Sequence, residues 1–221
     1  MATTDQTEGR ATFDAVVRDR RSVHDYSDEP VDDETLEELF DLVRYAPSSY
    51  NLQPWEFLVV REEGNREALR EVAYGQEHVT DAPVGVVVLG NTDPAAHADR
   101  VVDDLLEKGY RPDRAARDGL LERIEGLRDR DEATNRRWAV RSTALAAMTL
   151  MHAARSRGLS TCPMGGFDPE ALRETFDVGD EYEPVVLLTL GYPADGAADR
   201  ENERKYRRPV SEIVHHETFD A

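Results

Sequence analysis

Lysine is almost missing from this chain: of 27 basic residues only Lys108 and Lys205 are lysines, and they face 46 acidic side chains. The resulting net charge of −19 argues against a sequence-independent grip on a phosphate backbone, so no nucleic-acid partner is expected. Cysteine is equally scarce. The single Cys162 can close no internal disulfide, which points to a reducing compartment and a cytoplasmic location. No apolar run approaches the ~20 residues of a membrane span, and no membrane partner is expected. The start, Met1 to Thr12, is polar and acidic, unlike a signal peptide. Several catalytic signatures are absent as well: no P-loop, no G-x-G-x-x-G after a strand, no C-x-x-C, no H-E-x-x-H and no G-x-S-x-G. Adjacent His215 and His216 cannot turn both rings into one site, so no metal is expected.

What is present begins with the acids themselves. They are spread along helices, as from Asp32-Asp33-Glu34 to Glu37-Glu38, rather than gathered in a tail. With so little lysine, this resembles the surface of a halophilic protein, whose self-repulsion concentrated salt screens. At 221 residues the chain suits a single domain over 1–221, large enough to fold without a disulfide or structural metal. Apolar spacing predicts helices over 13–19, from Asp32 or Asp33 through Val43, from after a turn at 62–65 to about Ala73, over 135–157 and over 168–176. The stretch Ala144 to Ala154 is apolar almost all round, which marks a helix buried in a core or a dimer interface. Trp55 to Val60, Val84 to Gly90 and Val185 to Leu190 read as strands. Residues 161–166 read as a loop and 210–214 as an edge element. A charged helical insertion is expected at about 94–131, and a polar C-terminal arm at about 196–221.

Four distant segments carry the chemistry. Arg20-Arg21-Ser22 offers two guanidinium forks and a hydroxyl, which suit a phosphate. Alone it also fits a solvated helix end. Ala46-Pro47-Ser48-Ser49-Tyr50-Asn51-Leu52-Gln53-Pro54-Trp55 is a rigid polar loop able to reach a heterocycle, although a capped turn has similar composition. Pro163-Met164-Gly165-Gly166-Phe167-Asp168 lets backbone approach a flat ligand and aim N–H groups at it, with Asp168 a helix cap in any case. Arg204-Lys205-Tyr206-Arg207-Arg208-Pro209 is a basic knot in an acidic chain and asks for an anion, unless it only pairs with surface acids.

In this order and at this spacing the four segments resemble the FMN-dependent nitroreductase family, a similarity that spans nearly the whole chain. The resemblance implies an α+β, nitroreductase-like three-layer sandwich, with a central, mostly antiparallel sheet wrapped by helices, in an intertwined homodimer. FMN would lie at the subunit interface, with NADH or NADPH as transient co-substrate and a small organic molecule, a nitroaromatic or a quinone, as acceptor. Arg20, Arg21 and Ser22 would hold phosphate and ribityl oxygens, with Lys205 and Arg207 beside them. Pro47, Ser48, Ser49 and Asn51 would come from the opposite subunit. Pro163, Met164, Gly165 and Gly166 would lie along the isoalloxazine, and Gln76 would approach its pyrimidine edge. No side chain would act as acid, base or nucleophile, and Cys162 would serve packing.

The sequence departs from the family in two places. One is the acidic insertion from Pro94 to Asp131, a region that in relatives often borders the substrate channel. The other is a basic position. Relatives usually carry Arg or Lys two residues after the motif serine, facing the flavin N1–C2=O edge; here His24 stands there, and His78 takes the place of a further basic residue. Relatives of this fold also dehalogenate, oxidise azolines or degrade flavin, and an FMN carrier or sensor without turnover would show the same motifs. Those alternatives stay open at this level.

Overall fold

The structure, a computed structural model, describes residues 12–197 and 204–219. Trp55–Val60 (β1), Val84–Asn91 (β2), Ser160–Met164 (β3) and Tyr182–Gly191 (β4) form a sheet in the order β1-β2-β4-β3, antiparallel throughout. The α-helices among the described residues are Phe13–Asp19 (α1), Asp33–Val43 (α2), Glu63–Val72 (α3), His78–Asp81 (α4), Ala98–Glu107 (α5), Arg114–Glu125 (α6), Glu132–Ser156 (α7) and Pro169–Phe176 (α8).

Strand β2 is buried along its whole length, which explains its unbroken valine run. Its side chains alternate between two cores. Val84, Val86 and Val88 join Leu188 and Leu190 of β4 beneath α2 and α7, which contribute Leu36, Leu39, Val43, Ala146, Ala147 and Leu150. Val87 and Leu89 join Leu187 on the other face, beneath Leu69 and Val72 of α3 and Leu172 of α8. The result is three layers, helix–sheet–helix. Gly90 allows α7 to sit so close: a Cβ there would fall 2.8 Å from Thr143 Oγ1 and 3.4 Å from Ala139 Cβ. A third cluster unites α5 and α6 with the start of α7 through Val101, Val102, Leu120, Ile124, Trp138 and Ala139, closed by Leu52.

Helix starts follow from capping. Asp32 accepts from Thr35 N at 2.7 Å ahead of acids in the first turn of α2, and Asp131 does the same for Thr134 N at 2.9 Å ahead of α7. Leu188 is wholly buried between sheet and helices. Leu188→Ala is therefore expected to destabilise the fold by about 2–5 kcal/mol. Urea unfolding, read as a lower midpoint at unchanged slope, checks this; a loss below about 1 kcal/mol would contradict the packing.

The structure corrects several sequence expectations. Residues 160–164 are strand β3, not loop: Pro163 is tolerated because β3 is the last strand of the sheet, and only β4 pairs with it by an extended ladder. Helix α3 starts at Glu63, inside the expected turn, with Gly64 in its first turn where no packing is lost. Helix α7 begins three residues earlier than expected, at Glu132, because Asp131 caps it. Residues Val210–Glu212 form an exposed 3-10 turn and join no strand. Of the expected arm, residues 198–203 lie outside the described residues, as do most of the leader and the last two residues.

Candidate active site

The segment after α1 is laid along the outer edge of β3. Ser22 bridges to Thr161 in parallel, and Val23 N donates to Thr161 O at 3.3 Å. Tyr26 locks the segment down: its buried hydroxyl donates to the Val23 carbonyl at 2.8 Å and shares a 2.7 Å hydrogen bond with Thr189 Oγ1 of β4. Burial also holds the Tyr26 phenol above its usual range, so it stays neutral.

This strap places Arg20, Arg21 and Ser22 in a cavity of about 430 Å³, together with Val17, Arg18, Met148, Arg204, Lys205 and Arg207. Six of the nine lining residues are basic and none is acidic. Arg21 Nη1 is held by the carbonyls of Arg18 (2.7 Å) and Arg20 (3.0 Å), and Arg204 reaches Asp19 at 3.5 Å. Arg20 Nη1 is buried with no hydrogen-bond partner. Burial, then Arg207 and Arg21, push the Arg20 guanidinium below its usual range. A buried donor on a cation is costly unless an acceptor completes it, so the cavity is built for an anion. The sequence reading brought Arg20, Arg21, Ser22, Lys205 and Arg207 to this place; it missed Arg18, whose signal was its position one helical turn before Arg21.

A second group of expected residues lies farther along the β3 edge. Gln76 Nε2 donates to the Gly166 carbonyl (2.8 Å) and to Ala73 O (3.0 Å), tying the glycine loop to α3. Asp168 fixes the loop's other end: its N–H donates to Val72 O at 2.8 Å, and its carboxylate caps α8 through Glu170 N and Ala171 N. The outer side of the loop is open. A Cβ on Gly165 would meet nothing within 4 Å, and one on Gly166 only Gln76 Nε2 at 3.6 Å. Behind the loop the His24 and His78 rings lie 4.6 Å apart, and His78 Nε2 is 2.9 Å from Met164 Sδ. Burial, then His24, lower the His78 pKa. Cys162 Sγ and one nitrogen of each histidine lie within 4.8 Å of one another, and the thiol is buried.

The third expected group stands apart. Ser48 Oγ accepts from Gln53 N at 2.9 Å and folds the loop onto itself, with Tyr50, Asn51 and Gln53 all at positive φ. Pro47, Ser49 and Asn51 are exposed. Asn51 lines a cleft with Arg44, Trp55 and residues of α5, and that cleft shares no lining residue with the basic cavity. Within one protomer, then, the loop and the basic cavity do not meet.

The profile of the Nitroreductase family matches residues 17–192. MhqN of Bacillus subtilis is 32% identical over 205 residues, covering 92% of this chain and 98% of that relative. An NADH dehydrogenase of Thermus thermophilus is 33% identical over 196 residues, 88% of this chain and 91% of the relative. Among solved structures, a protein of Exiguobacterium sibiricum in complex with FMN superposes with a TM-score of 0.83 at 28% identity, covering 95% of this chain and 99% of that one.

Proposed function

The chain belongs to the nitroreductase family, and on that footing we propose an FMN-dependent oxidoreductase that takes hydride from NADH or NADPH and reduces small organic acceptors such as nitroaromatics and quinones. The two substrates would use one slot in turn, giving ping-pong kinetics. The observation that carries this reading is a cavity with six basic lining residues and no acidic one, backed by Arg20, whose Nη1 is buried without a partner. That donor set fits the FMN phosphate, which Arg20, Arg21, Ser22, Lys205 and Arg207 would hold by charge-assisted hydrogen bonds. The open face of the Gly165–Gly166 loop, kept rigid by Gln76 and Asp168, would receive the flat ring, and Pro163 and Met164 would continue that wall. FMN supplies the two-electron chemistry when bound, so the protein's work is placement and electrostatics.

The loop of Pro47, Ser48, Ser49 and Asn51, exposed at all but the half-buried Ser48, would reach the flavin of a second copy, in a homodimer with FMN at the interface. Three exposed apolar features support a partner surface: Leu145 and Met148 on α7, and the run of Val210, Ile213, Val214 and Phe219 near the C-terminus. The lone, buried Cys162 supports a reducing, cytoplasmic setting.

Anaerobic titration tests the activity. NADH or NADPH is expected to bleach the protein's flavin absorbance, and a nitroaromatic or quinone to restore it. Bound flavin that neither nicotinamide reduces would move the case to a carrier or sensor. A colourless protein that ignores added FMN would remove both readings.

A further inference from the structure

We propose that the cleft between residues 44–55 and α5 binds a planar aromatic acceptor that carries an anionic group, a carboxylate above all. This names the acceptor class of the flavoenzyme proposed above and rests on that reading for turnover, though not for binding.

The cleft holds about 690 Å³, room for a small aromatic ligand. Its walls include the buried Ala46, Trp55 and Val101, an apolar surface on which a ring can lie. Its rim carries Arg44, His97, Arg100 and Lys108, with Asp104 as the lining carboxylate. In a chain with 46 acids and 27 basic residues, a cleft with this balance is not what composition alone supplies.

Helix α5 shows how the charges were sorted. Asp99 and Asp103, one turn apart, face α6 and are both taken up by Arg117, at 2.9 and 2.8 Å. Positions 97, 100, 101, 104 and 108 form the opposite stripe at helical spacing, and every one of them lines the cleft. Within the cleft Lys108 pairs with Asp104 at 2.7 Å, and that hydrogen bond raises the lysine pKa, so it stays charged. Arg44 pairs with Asp41 at 2.9 Å and donates to Tyr45 Oη at 3.1 Å. Arg100 makes no ion pair or hydrogen bond among the described residues. One unpaired guanidinium above an apolar wall, beside the Asn51 and Gln53 amides, is a receptor for an aromatic acid. The phosphates of the nicotinamide donor offer the same charge, so the experiment must separate the two sources.

Calorimetric titration of the purified holoprotein with 4-nitrobenzoate and with the neutral 4-nitrobenzamide makes that separation without relying on turnover. The acid is expected to bind about tenfold more tightly, near the size of one well-placed charge contact. Arg100→Glu is expected to bring the ratio of affinities to about one, Lys108→Glu to lower it, and Arg100→Lys to keep most of it. In steady-state assays the same Arg100→Glu exchange should raise KM for the acid and leave KM for NADH and NADPH unmoved. Equal binding of acid and amide, no binding of either, or an Arg100→Glu effect confined to the nicotinamide KM would overturn the proposal. A colourless protein that still prefers the acid would keep this site and lose the flavin reading instead.

Discussion

Replacing Arg20 with glutamine is expected to raise the dissociation constant for FMN by about a hundredfold and, at the same time, to make the FMN-free protein more stable. The two effects have one cause. Without a ligand, Arg20 keeps a buried Nη1 with no acceptor, and its guanidinium is disfavoured first by burial and then by Arg207 and Arg21. Removing it relieves that unfavourable contact, worth about 1 kcal/mol for one unsatisfied donor. With a phosphate in the cavity the Arg20 guanidinium becomes a charge-assisted donor, whose loss costs about 2–3 kcal/mol. FMN fluorescence titration and thermal melts of the FMN-free protein read the two signs separately. An unchanged FMN affinity, or a lower melting temperature for the FMN-free variant, would contradict the assignment.

The second large effect concerns pH. The His24 and His78 rings, 4.6 Å apart, carry charge only when they take up a proton. Burial, then His24, set the His78 pKa below the usual histidine range, so the charged form of that ring is disfavoured where it lies. Of the neighbours, Asp81 pulls the His78 pKa upward, while Met164 Sδ and the Cys162 thiol add no cation. A negative charge formed beside the rings on reduction would raise their proton affinity. Between the oxidised-state and reduced-state titrations of His78, reduction would thus carry an extra proton. Each such proton in a two-electron couple steepens the potential by about 30 mV per pH unit. Redox titration of wild type is expected to show that steeper slope as pH falls through the window, and His24→Arg is expected to flatten it. Parallel profiles for the two proteins would remove the lever.

Much of the scaffold was legible because its signals are local. Phe13–Asp19, Trp55–Val60 and the Asp168-capped α8 follow from apolar spacing and capping chemistry alone. Strand β3 was not, because Pro163 and the following Gly165-Gly166 carry the composition of a turn; only its place at the end of the sheet makes the proline harmless. Helix α4 is a single turn, too short to leave a periodic trace. In the site, Arg20-Arg21-Ser22 and the glycine loop could be found as strings. The contact of His78 with both His24 and Met164, and the sorting of α5 charges between Arg117 and the cleft, depend on packing between distant segments. No local pattern encodes those.

The central claim is that the basic cavity of one chain and the 47–51 loop of another complete a single FMN site. Co-expression of two differently tagged chains, one with Arg20→Glu and one with Ser49→Glu and Asn51→Asp, tests it through the isolated mixed dimer. Each parent alone is expected to retain almost no FMN, while the mixed dimer holds about one FMN per two chains, because one of its two sites is assembled from intact halves. A mixed dimer as empty as its parents, or parents that hold flavin normally, would contradict a site shared between subunits.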